Sequence, residues 1–109
     1  MSDTLKVLGQ SNPTATTLTD AYTVPGAASA TVSSIVVTNR SAVPTSFRLS
    51  VAAAGAADAL KQYIAYDVPI GANLPISFTL GITLAATDVI RVYTTLATVS
   101  FNIFGVEVT

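Results

Sequence analysis

Apolar and polar residues alternate with a period of two along much of this chain, the spacing of a strand with one buried face. The clearest case is residues 45–53, where Phe47, Leu49 and Val51 fall on one side and Ser46, Arg48 and Ser50 on the other. Residues 89–94 set Ile90 and Val92 against Arg91 and Tyr93, and residues 74–80 set Leu74, Ile76, Phe78 and Leu80 over Ser77 and Thr79. In residues 17–24, Leu18, Tyr22 and Val24 share a face opposite Thr17, Thr19 and Thr23. Residues 99–108 begin the same way, with Phe101 and Ile103 alternating with Ser100 and Asn102. Beyond Ile103 the apolar set moves to Phe104, Val106 and Val108, which predicts a bulge near Gly105 or a strand apolar on both faces. Residues 30–39 differ, because Val32, Ile35, Val36 and Val37 load both faces with β-branched side chains, as a central strand does. Residues 61–69 read as a further strand carrying Tyr63, Ile64 and Tyr66, and residues 4–8 as either a short first strand or an arm.

Turn chemistry separates these runs. Ser11-Asn12-Pro13, Pro25-Gly26, the loop at 39–44 and Gly71-Ala72-Asn73 each break the chain where proline, glycine or asparagine favours a reversal. Residues 81–88 form a connection with room for a short strand at Ile82–Leu84. Residues 52–60 are rich in alanine, yet Gly55 sits in their middle and the run is short, so a long loop with at most one helical turn is expected. The pattern predicts about seven or eight strands and no long helix. Residues 1–10 form an arm or first strand, and residues 11–109 a single antiparallel β-sandwich of jelly-roll or immunoglobulin-like kind.

Composition narrows the function classes. Half of the 109 residues are hydrophobic, but only 10% are charged: Lys6, Arg40, Arg48, Lys61 and Arg91 against Asp3, Asp20, Asp58, Asp67, Asp88 and Glu107. Soluble domains carry about 25%. The exterior must therefore be covered largely by Ser, Thr, Ala and Asn, a surface that adheres to other protein and suits an assembly. The strands holding Val32 and Leu74 have no charge at all, so they are expected to be central or covered by a neighbour, while Lys61 and Arg91 are expected to guard sheet edges. Five scattered cations give no footprint for nucleic acid. No apolar stretch reaches the roughly 18 residues of a membrane span. Met1 to Gln10 lacks the basic-then-apolar layout of a signal peptide, so folding is expected in the compartment of synthesis.

The residues that carry most catalysis are missing: there is no His and no Cys. Acid–base and nucleophilic triads of the usual kinds cannot be assembled without them, nor can thiolate metal sites. Asp20, Asp58, Asp67 and Asp88 stand at or beside predicted turns, where Asp bonds its own backbone, and they do not suggest a catalytic pair or a calcium loop. Asn39-Arg40-Ser41 matches the N-glycosylation pattern but reads as loop. Tyr63, Tyr66 and Tyr93 are either a stacking platform for carbohydrate or bases, or cross-strand and subunit packing, and packing is the favoured reading. No catalytic, cofactor-binding or metal-binding residue is assigned, no cofactor is expected, and the chain reads as no enzyme.

Taken in order, Tyr22-Thr23-Val24-Pro25, the run from Val32 to Asn39, and Phe47-Arg48-Leu49-Ser50-Val51 resemble small virion proteins of tailed bacteriophages. Tyr66-Asp67-Val68-Pro69-Ile70, Gly81-Ile82-Thr83-Leu84 and Gly105-Val106-Glu107 fit the same likeness, which spans residues 9–107. The resemblance implies a β-sandwich subunit present in many copies on the particle. Its size is most like capsid decoration, or cement, proteins, which implies a dimer or trimer on the capsid surface that clamps the major capsid protein of neighbouring capsomers. The N-terminal segment would then be a candidate for reaching a neighbour. The alternatives are a tail, fibre or baseplate component, and a host- or carbohydrate-binding module.

Overall fold

Alternation is realised as nine strands in a computed structural model that describes residues 2–109: β1 (Asp3–Ser11), β2 (Thr19–Thr23), β3 (Ser29–Asn39), β4 (Thr45–Ala52), β5 (Tyr63–Ile70), β6 (Pro75–Phe78), β7 (Ile82–Leu84), β8 (Val89–Thr94) and β9 (Val99–Val108). They make two antiparallel sheets packed face to face, an all-β sandwich. The first sheet, A, runs β1-β9-β3-β6 with β7 also beside β3, and the second, B, runs β2-β8-β4-β5. The pairs are nested: β1 with β9, β2 with β8, β3 with β6 and β7, β4 with β5. A long hairpin rolled up so that β9 also meets β3 and β8 also meets β4 has this order, which is the jelly roll. Between the two sandwich types the sequence left open, the pairing selects that one.

The strand count is nine where about seven or eight were expected, because both of the optional strands form, the one at the N-terminal end and the short one at Ile82–Leu84. The strand foreseen at 74–80 is shorter than expected and ends at Phe78. β6 pairs Ile35 to Thr38 and β7 pairs Ala30 to Val32, so the gap faces the stretch of β3 where Ser33 is inserted as a bulge. β6 and β7 are thus two halves of one edge strand. Residues 4–8, expected as a short first strand or an arm, lie in the longer strand β1 (Asp3–Ser11) along β9; Met1, the first residue of the expected 1–10 segment, lies outside the described residues. Among the described residues there is no α-helix, and the alanine-rich segment holds only single 3-10 turns at Ala53–Gly55 and Leu60–Gln62.

Bulges decide which side chains reach the core. β9 is in phase throughout, with Val99, Phe101, Ile103 and Gly105 buried. Its neighbours are not: Leu8 in β1 and Ser33 in β3 are each an extra residue opposite the Phe104 region. The predicted bulge near Gly105 therefore lies in the partners of β9, and β9 itself is the strand with two apolar faces. The Ser33 bulge also explains the loading of β3, whose buried set runs Ala30, Val32 and then, one step out of phase, Ile35, Val37 and Asn39. In β2 an extra residue at Ala21 leaves Tyr22 and Val24 buried and Leu18 only half-buried. Between the sheets, Phe47 of B meets Phe78 and Phe101 of A edge-on, with centroids 6.0 and 5.9 Å away, a geometry that aromatic quadrupoles favour.

Each end of the sandwich is tied by one polar device. At the end formed by the β3–β4, β5–β6 and β8–β9 loops, Asn39 is fully buried. Its amide donates to the carbonyls of Val43 (2.9 Å) and Gly71 (3.1 Å), and its oxygen accepts from the Ser41 N–H and the Thr98 hydroxyl. All four capacities of the amide are used, so the asparagine of the Asn39-Arg40-Ser41 pattern is a buried clasp. Asn39→Ala strands several of these groups and is expected to cost about 2–3 kcal/mol in urea unfolding. Asn39→Asp should be comparably destabilising at neutral pH, because a carboxylate cannot donate to two carbonyls.

At the opposite end, beside the termini, the Tyr22 hydroxyl donates to Glu107 at 2.7 Å, and Lys6 lies 3.4 Å from the same carboxylate. The bridge joins edge strand β2 of sheet B to sheet A. The Tyr22 hydroxyl, and secondarily Lys6, hold the Glu107 carboxyl below its ordinary value, while burial and Glu107 push the Tyr22 phenol up. A carboxyl that titrates lower when folded stabilises the fold above its unfolded pKa, and that contribution vanishes as pH falls through the folded value. Stability should thus decline on acidification below about pH 4.5, the ordinary value of Glu107. Chemical denaturation as a function of pH should show this decline flattened in Glu107→Gln.

Candidate interaction surfaces

Residues directly opposite in a ladder share a face, so the register lays out the exterior of sheet A row by row. The rows are Asp3, Val108, Ser29; Leu5, Val106, Thr31, Thr83; Val7, Phe104, Ser34; Gln10, Asn102, Val36, Ser77; and Ser100, Thr38, Pro75. Within the described strands this face carries one charged side chain, Asp3, at its corner; just past β3, Arg40 stands opposite Thr98 and its guanidinium donates to Asn12 at the other end of the sheet. Lys6 and Glu107 belong to the same strands but share the opposite, inward-facing side. Along β1 and β9 the face bears an apolar stripe of Leu5, Val7, Phe104, Val106 and Val108, with Leu5 83% and Val7 46% exposed. Toward β3 it becomes a lawn of serine and threonine.

Charge is gathered instead on the exterior of sheet B and at the ends. Arg48 of β4 stands opposite Tyr93 of β8. Its guanidinium lies 4.2 Å from the centroid of Tyr66 and 4.4 Å from that of Tyr93, and its Nε donates to Asp67 at 2.7 Å. Asp67 reaches Arg48 because it sits at φ 50 in a bulge of β5, a conformation that Asp tolerates better than most residues. Tyr63 meets Tyr66 edge-on at 5.1 Å, and its hydroxyl donates to Asp58; burial, then that bond, raises its pKa. The three tyrosines named from the sequence are therefore brought together around a cation that belongs to a neighbouring strand. Each contact of this exposed group is worth about 0.5–1 kcal/mol, and the ring faces turned to Arg48 are occupied.

Arg91 lies further along the same sheet. It donates to Asp20 of β2 and to the carbonyls of Gly55 and Ala56, pinning the alanine-rich segment over the exterior of B. Asp88 accepts from the backbone N–H of Ala85 and of Ala54, the turn role foreseen for it. Asp20 and Asp67 are strand residues in cross-strand ion pairs rather than turn residues. The expected edge guards are also reassigned, because Arg91 is on the inner strand β8 and Lys61 is in a 3-10 turn. The true edges are β1, β2 and β5, which carry Asp3 and Lys6, Asp20, and Asp67 respectively, and β6/β7, which carries no charge. Of the two strands without charge, the one with Val32 is central; the one with Leu74 is that open edge, blunted by Pro75 and by its own interruption.

Other features offer little chemistry. Among the described residues no three His, Cys, Asp or Glu side chains gather as they would around a metal ion. A shallow open depression of about 370 Å³, lined by Gln10, Ser11, Asn12, Ser100, Phe101 and Asn102, sits on the β1–β9 side and contains no ionisable group. No helix among the described residues is long and apolar enough to cross a membrane. Comparison with protein-family models, with curated proteins and with solved structures returns no match in any of the three.

Proposed function

We propose that this chain is a non-catalytic structural subunit of a virus particle, a decoration or cement protein on the capsid surface of a tailed phage. In this reading it needs no cofactor, binds between subunits of the major capsid protein, and stabilises the shell through contact area repeated over the lattice. The observation that carries it is the charge-poor exterior of sheet A, with Asp3 at one corner and Arg40 at the far end: a folded domain that gathers most of its charge elsewhere and leaves one broad face bare is suited to having that face covered. The jelly roll occurs in viral capsid and lectin domains and in cupins, so the fold supports the reading without selecting it.

Counting copies by quantitative mass spectrometry of purified particles is the direct test. Hundreds per particle are expected of a shell protein. A few to a few dozen would place the chain in a tail, fibre or baseplate, and absence from the particle would overturn both. The tyrosine cluster on sheet B favours a second reading, a carbohydrate-binding module, since Tyr66 remains 49% exposed beside Tyr63 and Tyr93. That reading requires glycan binding that is lost in Tyr66→Ala and in Tyr93→Ala.

A further inference from the structure

We infer that the depression at the Asn39 end of sheet A, with Arg40 at its lip, receives an acidic side chain, Asp or Glu, of a protein partner. The inference deepens the proposed function by naming the chemistry the partner presents, and it rests on that function only for the partner being protein.

Arg40 is held but not neutralised. Its backbone N–H donates to the Thr98 carbonyl, and its Nη2 donates to Asn12 Oδ1 at 2.9 Å and to the Ala97 carbonyl at 3.3 Å. The residue before it is the buried clasp Asn39, so the guanidinium stands on a rigid base. Its Nε and Nη1 have no protein acceptor among the described residues. Arg48 and Arg91 each bond an aspartate, whereas no carboxylate among the described residues reaches Arg40. Scarcity of acid is not the cause, since the chain has six acidic side chains against five basic ones. The loops of this end, residues 12–18, 40–44, 71–74 and 95–98, contain none of the six. A fixed guanidinium with free N–H groups and no internal counter-ion is pre-organised for an external carboxylate.

The depression beside it supplies the rest of the site. Arg40 can only donate, so it takes the oxygen of Asn12 and leaves the Nδ2 group of that amide as a donor. Gln10 donates to Asn102 Oδ1 at 2.8 Å, which leaves Asn102 Nδ2 as a second donor and Gln10 Oε1 as an acceptor. With the hydroxyls of Ser11 and Ser100, these uncharged groups line the 370 Å³ space. Ligand sites begin at about 300 Å³, so a short segment fits here and a whole protein surface does not. Each side-chain amide pairs a donor with an acceptor, as a peptide group does, and so complements a partner's backbone flanking the acid. A sugar acid carries the same carboxylate, but Phe101, the one aromatic residue at the depression, is fully buried and offers no ring face for stacking.

NMR titration of the isotope-labelled full chain with the peptide acetyl-Ser-Asp-Ser-amide tests this. The side-chain amide signals of Gln10, Asn12 and Asn102 should shift and saturate, with a dissociation constant of about 1 mM for so small a probe. The neutral twin acetyl-Ser-Asn-Ser-amide should bind at least tenfold more weakly, and so should the acidic peptide to Arg40→Gln. Lys61→Gln removes the same charge from a 3-10 turn and should leave binding unchanged. Asn12→Asp keeps Arg40 but sets a carboxylate against it, so it should lose the peptide while its melting temperature holds or rises. Residues 12 and 40 are both exposed, so these variants should fold. No saturable shift up to about 20 mM peptide, equal binding of the neutral twin, or full binding by Arg40→Gln or Asn12→Asp overturns the inference. Tighter binding of glucuronate than of the peptide would assign the site to an acidic glycan and overturn the protein partner. Copy number on the particle is measured without reference to this site. Hundreds of copies of a chain that ignores the peptide would sink the docking site and spare the shell role, and a peptide bound by a chain absent from particles would do the reverse.

Discussion

Gly105→Ala should destabilise the fold by at least ~3 kcal/mol. Gly105 is buried in β9 opposite Lys6 of β1 and Val32 of β3, close to the level where Leu8 and Ser33 bulge out of those two strands. A Cβ on this residue would collide with the carbonyl oxygen of Thr31 and would approach Leu8 Cδ1 and Val32 Cα to 3.0 Å each. Overpacking ordinarily costs about 1–3 kcal/mol because side chains give way. Here the main obstacle is the backbone of a central strand, so a loss of at least ~3 kcal/mol is expected, a large part of the ~5–15 kcal/mol that holds a domain together. Gly26 is the control: nothing lies within 4 Å of its would-be Cβ, and Gly26→Ala should change stability by no more than about 0.5 kcal/mol. Urea titration of the two variants beside the wild type compares them directly. Equal midpoints would show that the strands around β9 relax far more readily than their packing implies.

Phe47→Ala is the second large effect. Phe47 is fully buried, lies on the central strand β4, and is the ring that both Phe78 and Phe101 meet edge-on. Removing it forfeits the burial of the ring, leaves a cavity between the sheets and breaks two aromatic contacts. Phe→Ala changes in cores cost about 3–5 kcal/mol. For a domain of this length about 4 kcal/mol corresponds to a fall in melting temperature of roughly 15 °C or more. Phe47→Leu, which keeps most of the volume, should recover more than half of the loss. A calorimetric scan in which the alanine variant melts within a few degrees of the wild type would place the core elsewhere.

These two residues also mark how far the sequence could be read. Phe47 was legible because residues 45–53 alternate without interruption, and local alternation is a direct image of which side faces the core. Gly105 was legible only as the place where alternation failed. The cause lay in Leu8 and Ser33, on strands far away in sequence, because a bulge is defined by what stands opposite it. One signal for Ser33 was present: the phase of the apolar set in β3 jumps between Val32 and Ile35 across two serines. The tyrosines on sheet B could be named in advance, but not Arg48 between them, since that contact depends on β4 lying between β5 and β8. The same holds for the bare face of sheet A. Low charge is a property of composition, whereas its segregation to one side of the molecule is a property of strand order. That order is set by non-local pairing, and alternation within a strand carries no record of it.

The nested pairing bears on how the chain reaches this state during synthesis. β9 is the last of the nine strands, yet it lies between β1 and β3. While it is still being made, β1 and β3 have no ladder between them, and sheet A lacks its middle. Contacts this distant in sequence close slowly, commonly over milliseconds to seconds. In that interval β3 exposes unpaired backbone on one side, beside a long β-branched run with no charge to ward off other chains. Dilution, low temperature or a holding chaperone during expression should therefore raise the yield of soluble protein more than any change made to the finished fold.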